Sequence, residues 1–492
     1  MRRAVQILCL ALFVFLLAET TWPPPDFAVV NGFLKIDPLL SLQAMLAGRA
    51  WIAAAGLGLV VLLLSAVLGR FFCGWVCPMG ACLELGDRAL YGKTTHRRWK
   101  NYERRGRWIK YGVLIVILVA SLFGQGLVYL ADPICWITRL MTYALWPVLA
   151  TLTNAGLYVF RPVFEEFNWM TLARTEVAQP MFGGFGFLVV VFFAILFWLG
   201  RWQRRFWCRS LCPLGALLAL PARFTLFSRQ VSDACDNDGK CARTCETGAI
   251  GDDRRRYDPM ECIQCGRCVP DCHLKVTRFA PVWLAPSRQP SFDASRRQAI
   301  LWTAGGATAA AWLAYNPSRL LVSDAVIRPP GALPENAFLA TCVRCGQCVK
   351  ACPTHCLQPT ALETGIAGLM TPAAVMRLGP CDQNCNACSL VCPTAAIRPF
   401  HIVEKPAIRL GTAIIDHPRC VVWEQGLACL VCDENCQYGA IVWHEEANGD
   451  RRPYVEEKKC NGCGNCEHAC PVHGMAAIRV IPSGDNREMR FS

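Results

Sequence analysis

The chain has 492 residues, 53% of them hydrophobic, with a formal net charge of +13 and 31 cysteines. At ~100–200 residues per domain this leaves room for about three or four domains. So many cysteines exclude incidental core thiols and leave disulfides, zinc or iron–sulfur clusters as the chemistry. The positive charge does not argue for nucleic acid, because the basic residues gather in loops beside apolar runs.

Four apolar runs come first, at residues 4–18, 51–69, 112–130 and 184–200. Such runs predict membrane helices, which satisfy their own backbone and need about 20 apolar residues to cross a ~30 Å hydrocarbon core. Lys and Arg crowd residues 70–110 and 201–209 but are sparse in 21–50 and 131–183. That bias predicts a cytoplasmic N-terminus and a cytoplasmic segment after the fourth run. Residues 142–160 are apolar too and read as a re-entrant or interfacial helix. A fifth run at 299–315 follows Ser295, Arg296 and Arg297, a stretch that resembles a twin-arginine export signal placed in mid-chain.

The expected fold class is a multi-domain membrane protein. A four-helix transmembrane domain covers 1–200 and an α+β ferredoxin-like dicluster domain covers 201–294. A transmembrane signal-anchor helix covers 295–317, and a polyferredoxin domain covers 318–492. The expected location is the bacterial inner membrane, crossed several times, with the C-terminal domain periplasmic.

Spacing decides among the cysteine chemistries. Cys262, Cys265, Cys268 and Cys272 follow C-x2-C-x2-C-x3-C, beside a reduced set of Cys235, Cys241 and Cys245. Cys342, Cys345, Cys348 and Cys352 repeat the full spacing, as do Cys460, Cys463, Cys466 and Cys470. Cys381, Cys385, Cys388 and Cys392 open with a wider gap, and Cys420, Cys429, Cys432 and Cys436 with a longer one. Three cysteines two residues apart wrap one [4Fe-4S] cube in a tight loop, and the fourth reaches a neighbouring cube. Which set pairs with which stays open: the Cys342 set suits either the Cys381 set or the Cys460 set. An internal repeat adds weight, since Cys245, Cys392 and Cys436 lead in the same frame to Ile250, Ile397 and Ile441. Each frame predicts a short helix feeding a strand, with further strands expected at 257–261, 413–416 and 453–455.

Zinc sites use paired C-x2-C couples rather than repeated four-cysteine runs. Three cysteines within seven residues pair poorly as disulfides. Haem c needs C-x-x-C-H, and Cys272-His273, the single adjacent Cys-His, lacks that spacing. The count expected is about six [4Fe-4S] clusters, two in the inner half and four in the outer.

Cys73 and Cys77 before Pro78, and Cys208 and Cys212 before Pro213, form a matched C-x3-C-P pair. They are candidates for an additional centre, for the ligand missing from the Cys235 set, or for redox-active thiols. Cys82, Cys135 and Cys356 stand outside the sets, and Cys9 reads as core. Glu84 and Asp132 are candidate proton acceptors or solvated end residues. No catalytic acid or base is assigned.

The apolar runs, the C-x3-C-P pair and the Cys235–Cys272 segment together resemble NapH, the membrane quinol dehydrogenase component of periplasmic nitrate reductase systems. The twin-arginine-like stretch and the four later cysteine sets resemble NapG and MauM, exported ferredoxin-type proteins, so the chain looks like a fusion. The resemblance implies electron transfer from the quinone pool through [4Fe-4S] clusters to a periplasmic c-type cytochrome or reductase, with quinol as substrate. The alternative it implies is an accessory role like that of MauM, MauN or NosR, supplying electrons for maturation or reactivation of a periplasmic metalloenzyme.

Overall fold

The computed structural model describes residues 2–23, 30–49, 51, 56–91, 106–170, 184–251, 253–281, 296–315, 326–361, 364–446 and 449–486. Of the twin-arginine-like stretch, Ser295 lies outside these residues, as do Arg97, Arg98, Arg104 and Arg105 of the basic loop. The chain divides into two compact units.

The first unit, residues 1–17, 31–140 and 187–314, is mostly helical. Helices occupy the apolar runs, at Arg2–Ala18, Gly56–Leu68, Trp108–Leu122 and Phe185–Gly200, with 17, 13, 15 and 16 residues. At 1.5 Å per residue these fall short of the ~30 Å hydrocarbon core. Two are followed by glycines in the left-handed region, Gly69 at φ 67° and Gly124 at φ 75°. Longer helices exist, but Trp146–Glu166, in the second unit, carries Arg161, Glu165 and Glu166, and Arg296–Tyr315 is rich in Ala, Gly and Thr. Among the described residues, no helix is long and apolar enough to cross a membrane. This overturns the expected four-span membrane domain, the transmembrane signal anchor at 295–317 and the multi-pass inner-membrane location. Apolar composition was legible in the sequence; the breaks that shorten each helix were not.

Two buried Asp-Pro steps start helices here. Asp37 accepts from the amides of Leu39 and Leu40 at 2.8 and 3.3 Å and starts Pro38–Gly48. Asp132 accepts from the Cys135 amide at 2.7 Å and starts Pro133–Arg139. Each cap satisfies an orphan donor, worth about 1 kcal/mol, and proline is pre-set for the first helical position. Strands β1 (Phe227–Val231) and β2 (Thr277–Pro281) pair antiparallel, Phe227 opposite Pro281 and Val231 opposite Thr277. They bracket Cys235, Cys241, Cys245, Cys262, Cys265, Cys268 and Cys272. Tyr257 bridges Ile250, but 259–261 is turn rather than the expected strand.

The described residues of the second unit, residues 18–30, 141–186 and 315–492, contain three further antiparallel pairs. β3 (Leu357–Pro359) pairs with β4 (Pro372–Ala374). β5 (Thr412–Ile415) pairs with β8 (Ile478–Ile481), and between them in sequence β6 (Ile441–Glu445) pairs with β7 (Arg451–Val455). Ile441 and Ile478 open strands, and Ile397 forms a bridge with Ala332. Buried Arg328 ties the region together by donating to Glu335, to the Thr371 hydroxyl and to the Pro372 carbonyl. So many short pairs make small cores, and the cysteine-lined cavities lie between them.

Candidate metal centres

Four cavities in the second unit draw cysteines from two sequence sets each. The first is walled by Cys342, Cys345, Cys348 and Cys392, the second by Cys381, Cys385, Cys388 and Cys352. The third is walled by Cys420, Cys429, Cys432 and Cys470, the fourth by Cys460, Cys463, Cys466 and Cys436. In each, three thiols come from one loop and one from the end of another set. The pairing that spacing left open is therefore the Cys342 set with the Cys381 set, and the Cys420 set with the Cys460 set.

Backbone conformation explains why three thiols two residues apart face one point. Cys345 lies between Arg344 at φ 53° and Gly346 at φ 83°, and Cys463 between Gly462 at φ 74° and Gly464 at φ 80°. Two left-handed residues around one thiol fold the chain back on itself. Glycine takes that conformation freely. Arg344 is anchored there by donating to the Ala367 carbonyl at 2.6 Å. Short helices at Gln347–Ala351 and Asn465–Ala469 then carry the third cysteine. Cys352 ends the first of these helices with extended ψ, which points it away toward the other set.

Amides aim at the sulfurs. Ile397 donates to Cys392 at 3.4 Å, Ala440 to Cys436 at 3.2 Å and Ala413 to Cys460 at 3.4 Å. Such bonds favour thiolates and tune cluster potential. Burial pushes the Cys342 and Cys463 thiols up to about 11. As free thiols they stay protonated near neutrality, so metal binding releases protons.

Two further residues line the second cavity: Cys356, which stands outside the spaced sets, and Lys405, which the sequence does not single out. Cys356 lines it, fully buried, with its thiol toward Met376 Sδ at 3.7 Å. Lys405 lines it as a buried cation donating to the Cys385 carbonyl at 2.7 Å. Burial alone would lower the Lys405 pKa, but the charges of Cys381 and Cys388 outweigh it and raise it. A lone lysine carries no motif that would have flagged it.

In the first unit Cys245 sits close enough to Cys262, Cys265 and Cys268 to raise each of their pKa values, after burial itself. Gln264 at φ 53° and Gly266 at φ 68° flank Cys265 in the same way as above. Cys235 and Cys241 lie together, and Cys272 sits among the amides of Leu274, Val276 and Thr277.

The C-x3-C-P cysteines also converge. Burial, then the neighbouring charges of Cys73 and Cys208, push Cys77 well up; Cys212 responds in the same way to Cys208, Cys73 and Cys77. Cys212 starts the helix Pro213–Ala222, and its Sγ accepts from the Gly215 amide at 3.2 Å. A Cβ at Gly215 would meet Arg70 Nη2 at 2.7 Å, and one at Gly80 would meet the Cys73 carbonyl at 3.0 Å. The motif is thus C-x3-C-P-x-G in both copies, a longer repeat than sequence reading used. Arg70 and Arg205, both buried, lie beside the thiols.

Glu84 and Asp132 are not solvated end residues. Glu84 is buried among Arg2, Arg88, Arg205 and Arg267. Asp132 is fully buried beside Asp37. Burial pushes the Asp37 carboxyl well up, and the Asp132 charge adds to it. Cys135 is buried behind Asp132, and Cys82 and Cys9 join no thiol group described above.

Comparison with known proteins agrees with the thiol geometry. A 4Fe-4S binding domain model matches residues 45–98 and 182–232, which contain the two C-x3-C-P motifs. A second 4Fe-4S binding domain model matches 339–358, and a 4Fe-4S dicluster domain model matches 427–473. The methylamine utilization ferredoxin-type protein MauM of Methylorubrum extorquens is 40% identical over 190 residues, 36% of this chain and 84% of the relative. The ferredoxin-type protein NapG of Escherichia coli is 37% identical over 196 residues, 37% of this chain and 82% of the relative. No solved structure matches the chain significantly. Cavities and matches together define an iron–sulfur electron-transfer protein. The chain belongs to the ferredoxin-type family that includes MauM and NapG.

Proposed function

We propose that the chain is an electron relay that takes electrons from a quinol and passes them through six [4Fe-4S] clusters to a c-type cytochrome or reductase. The four cavities of the second unit hold one cluster each, with the ligands named above. A fifth is held by Cys262, Cys265, Cys268 and Cys245, and a sixth uses Cys235, Cys241 and Cys272. The Cys73, Cys77, Cys208 and Cys212 quartet holds a further centre, a reading supported by the 4Fe-4S description of the model matching both of its halves. Each bound cluster supplies one-electron transfer; the chain supplies thiolates, amide donors and buried cations around it. The observation that carries the reading is the repeated convergence of three local thiols and one distant thiol.

The quinol donor rests on the likeness of the C-x3-C-P half to the quinol dehydrogenase component NapH. A second reading is electron supply for maturing another metalloenzyme, the accessory role that the resemblance to MauM and MauN implies. Anaerobic protein mixed with reduced quinol analogues separates them. Cluster bleaching at a saturable rate supports the first. Bleaching by dithionite but by no quinol removes it and leaves the second.

A further inference from the structure

The set Cys235, Cys241 and Cys245 is one cysteine short, yet its frame is complete. Asp238 stands three residues after Cys235 and three before Cys241, the place of the second cysteine in C-x2-C-x2-C-x3-C. The backbone repeats the ligand geometry there. Asn237 at φ 59° and Gly239 at φ 75° flank Asp238 as left-handed residues flank Cys265, Cys345 and Cys463. Positive φ is uncommon outside glycine, and Asn is among the residues that tolerate it. Gly239 starts the short helix Lys240–Thr244 that bears Cys241, as Gly346 and Gly464 start those bearing Cys348 and Cys466. The Asp238 carboxylate accepts from the Lys240 amide, two residues on, at 3.1 Å. Cys265 and Cys463 accept from the amides of Arg267 and Asn465, also two residues on.

The fourth position follows from the crossing pattern. Cys245 lies with the Cys262 set, so the reciprocal thiol for the Cys235 set is Cys272. Asp238 Oδ2 is 3.4 Å from Nδ1 of His273, the residue next to Cys272. Buried Arg229 donates to Cys241 Sγ at 3.4 Å and to the Thr277 hydroxyl at 3.5 Å. Cys272 is hydrogen-bonded to that same Thr277.

We infer that Cys235, Asp238, Cys241 and Cys272 hold a [4Fe-4S] cluster in which the Asp238 carboxylate ligates one iron, and that this iron is exchangeable. The inference rests on the cluster reading above. Soft thiolates select iron–sulfur clusters, while carboxylate is a hard ligand that suits other metals, so the carboxylate corner is the weakest of the four. Mild oxidation takes [4Fe-4S]2+ to [3Fe-4S]+ with release of Fe2+ and one electron, the electron passing to an added oxidant such as ferricyanide. Fe2+ with dithionite reverses the step.

The test uses the full chain, purified anaerobically and treated with limiting ferricyanide. The expected result is a three-iron paramagnetic signal, with one iron released per chain and no sulfide lost. Asp238→Cys should retain that iron and lose the signal. Asp238→Ala should contain the three-iron centre as isolated and fail to take up Fe2+. Equal iron release and equal three-iron signal in wild type and Asp238→Cys would overturn the assignment, as would a four-iron centre in Asp238→Ala. The dithionite-reduced signals of the other clusters, read in the same samples, separate this failure from failure of the cluster reading itself.

Discussion

The Lys405 ammonium donates to the Cys385 carbonyl at 2.7 Å, inside the cavity walled by Cys381, Cys385, Cys388 and Cys352. A buried positive charge favours the more negative, reduced state of a cluster, because Coulomb energies grow as the local dielectric falls. Lys405→Met should lower the potential of that centre by on the order of 60 mV, about tenfold in the equilibrium of a one-electron couple. Lys405→Arg should largely preserve it. A redox titration followed by electron paramagnetic resonance reads the shift, and an unchanged potential in the Met variant contradicts the role.

The crossed pairing makes a second prediction. Cys342→Ser and Cys392→Ser lie 50 residues apart in sequence but wall one cavity. Each should cost the same single cluster, and the double variant should lose no more than either alone. Groups acting on one site are non-additive in this way. Additive loss of iron and sulfide would show that the two cysteines serve different centres.

Much of this was legible in the sequence, and what was not has a physical reason. The spacing of Cys342, Cys345 and Cys348 states a local loop, because three thiols that close are gathered by a few backbone torsions. The partner of Cys392 is a tertiary fact, fixed only when β3 and β4 bring the two sets together. Lys405 has no periodicity or motif, and its role exists only through burial. The apolar runs misled, since composition records hydrophobicity but not where Gly69 and Gly124 end a helix. Among the eight strands of the described residues, Thr412–Ile415 and Arg451–Val455 were foreseen from their place before a cysteine set, whereas the turn after Tyr257 was not.

Glu84 links Arg2, Arg205 and Arg267, and all three also reach Glu246. Burial would raise the Glu84 pKa, but Arg205, Arg2, Arg267 and Arg88 outweigh it and hold it near about 2. A carboxylate held below its unfolded value of about 4.3 stabilises the fold above that value. The contribution is lost as pH falls through about 2. Glu84→Gln leaves Arg2, Arg205 and Arg267 sharing the single carboxylate of Glu246 and should destabilise by about 3–5 kcal/mol. Chemical denaturation at several pH values checks both. The gap between wild type and variant should narrow as pH drops below about 4.3; a constant gap contradicts the linkage.

The C-x3-C-P quartet should behave as one centre. Cys77→Ser and Cys212→Ser should each remove the same spectroscopic signal and leave the clusters of residues 326–486 intact. Two independent losses, or none, would show that the cysteines do not share a metal.

The most direct measurement is iron, acid-labile sulfide and zinc per intact chain prepared without oxygen. Iron and sulfide should appear in equal amounts, four of each for every thiol-walled cavity, with paramagnetic signals after reduction and negligible zinc. A colourless chain holding zinc, or thiols titrating as free groups at all four cavities, would contradict the account.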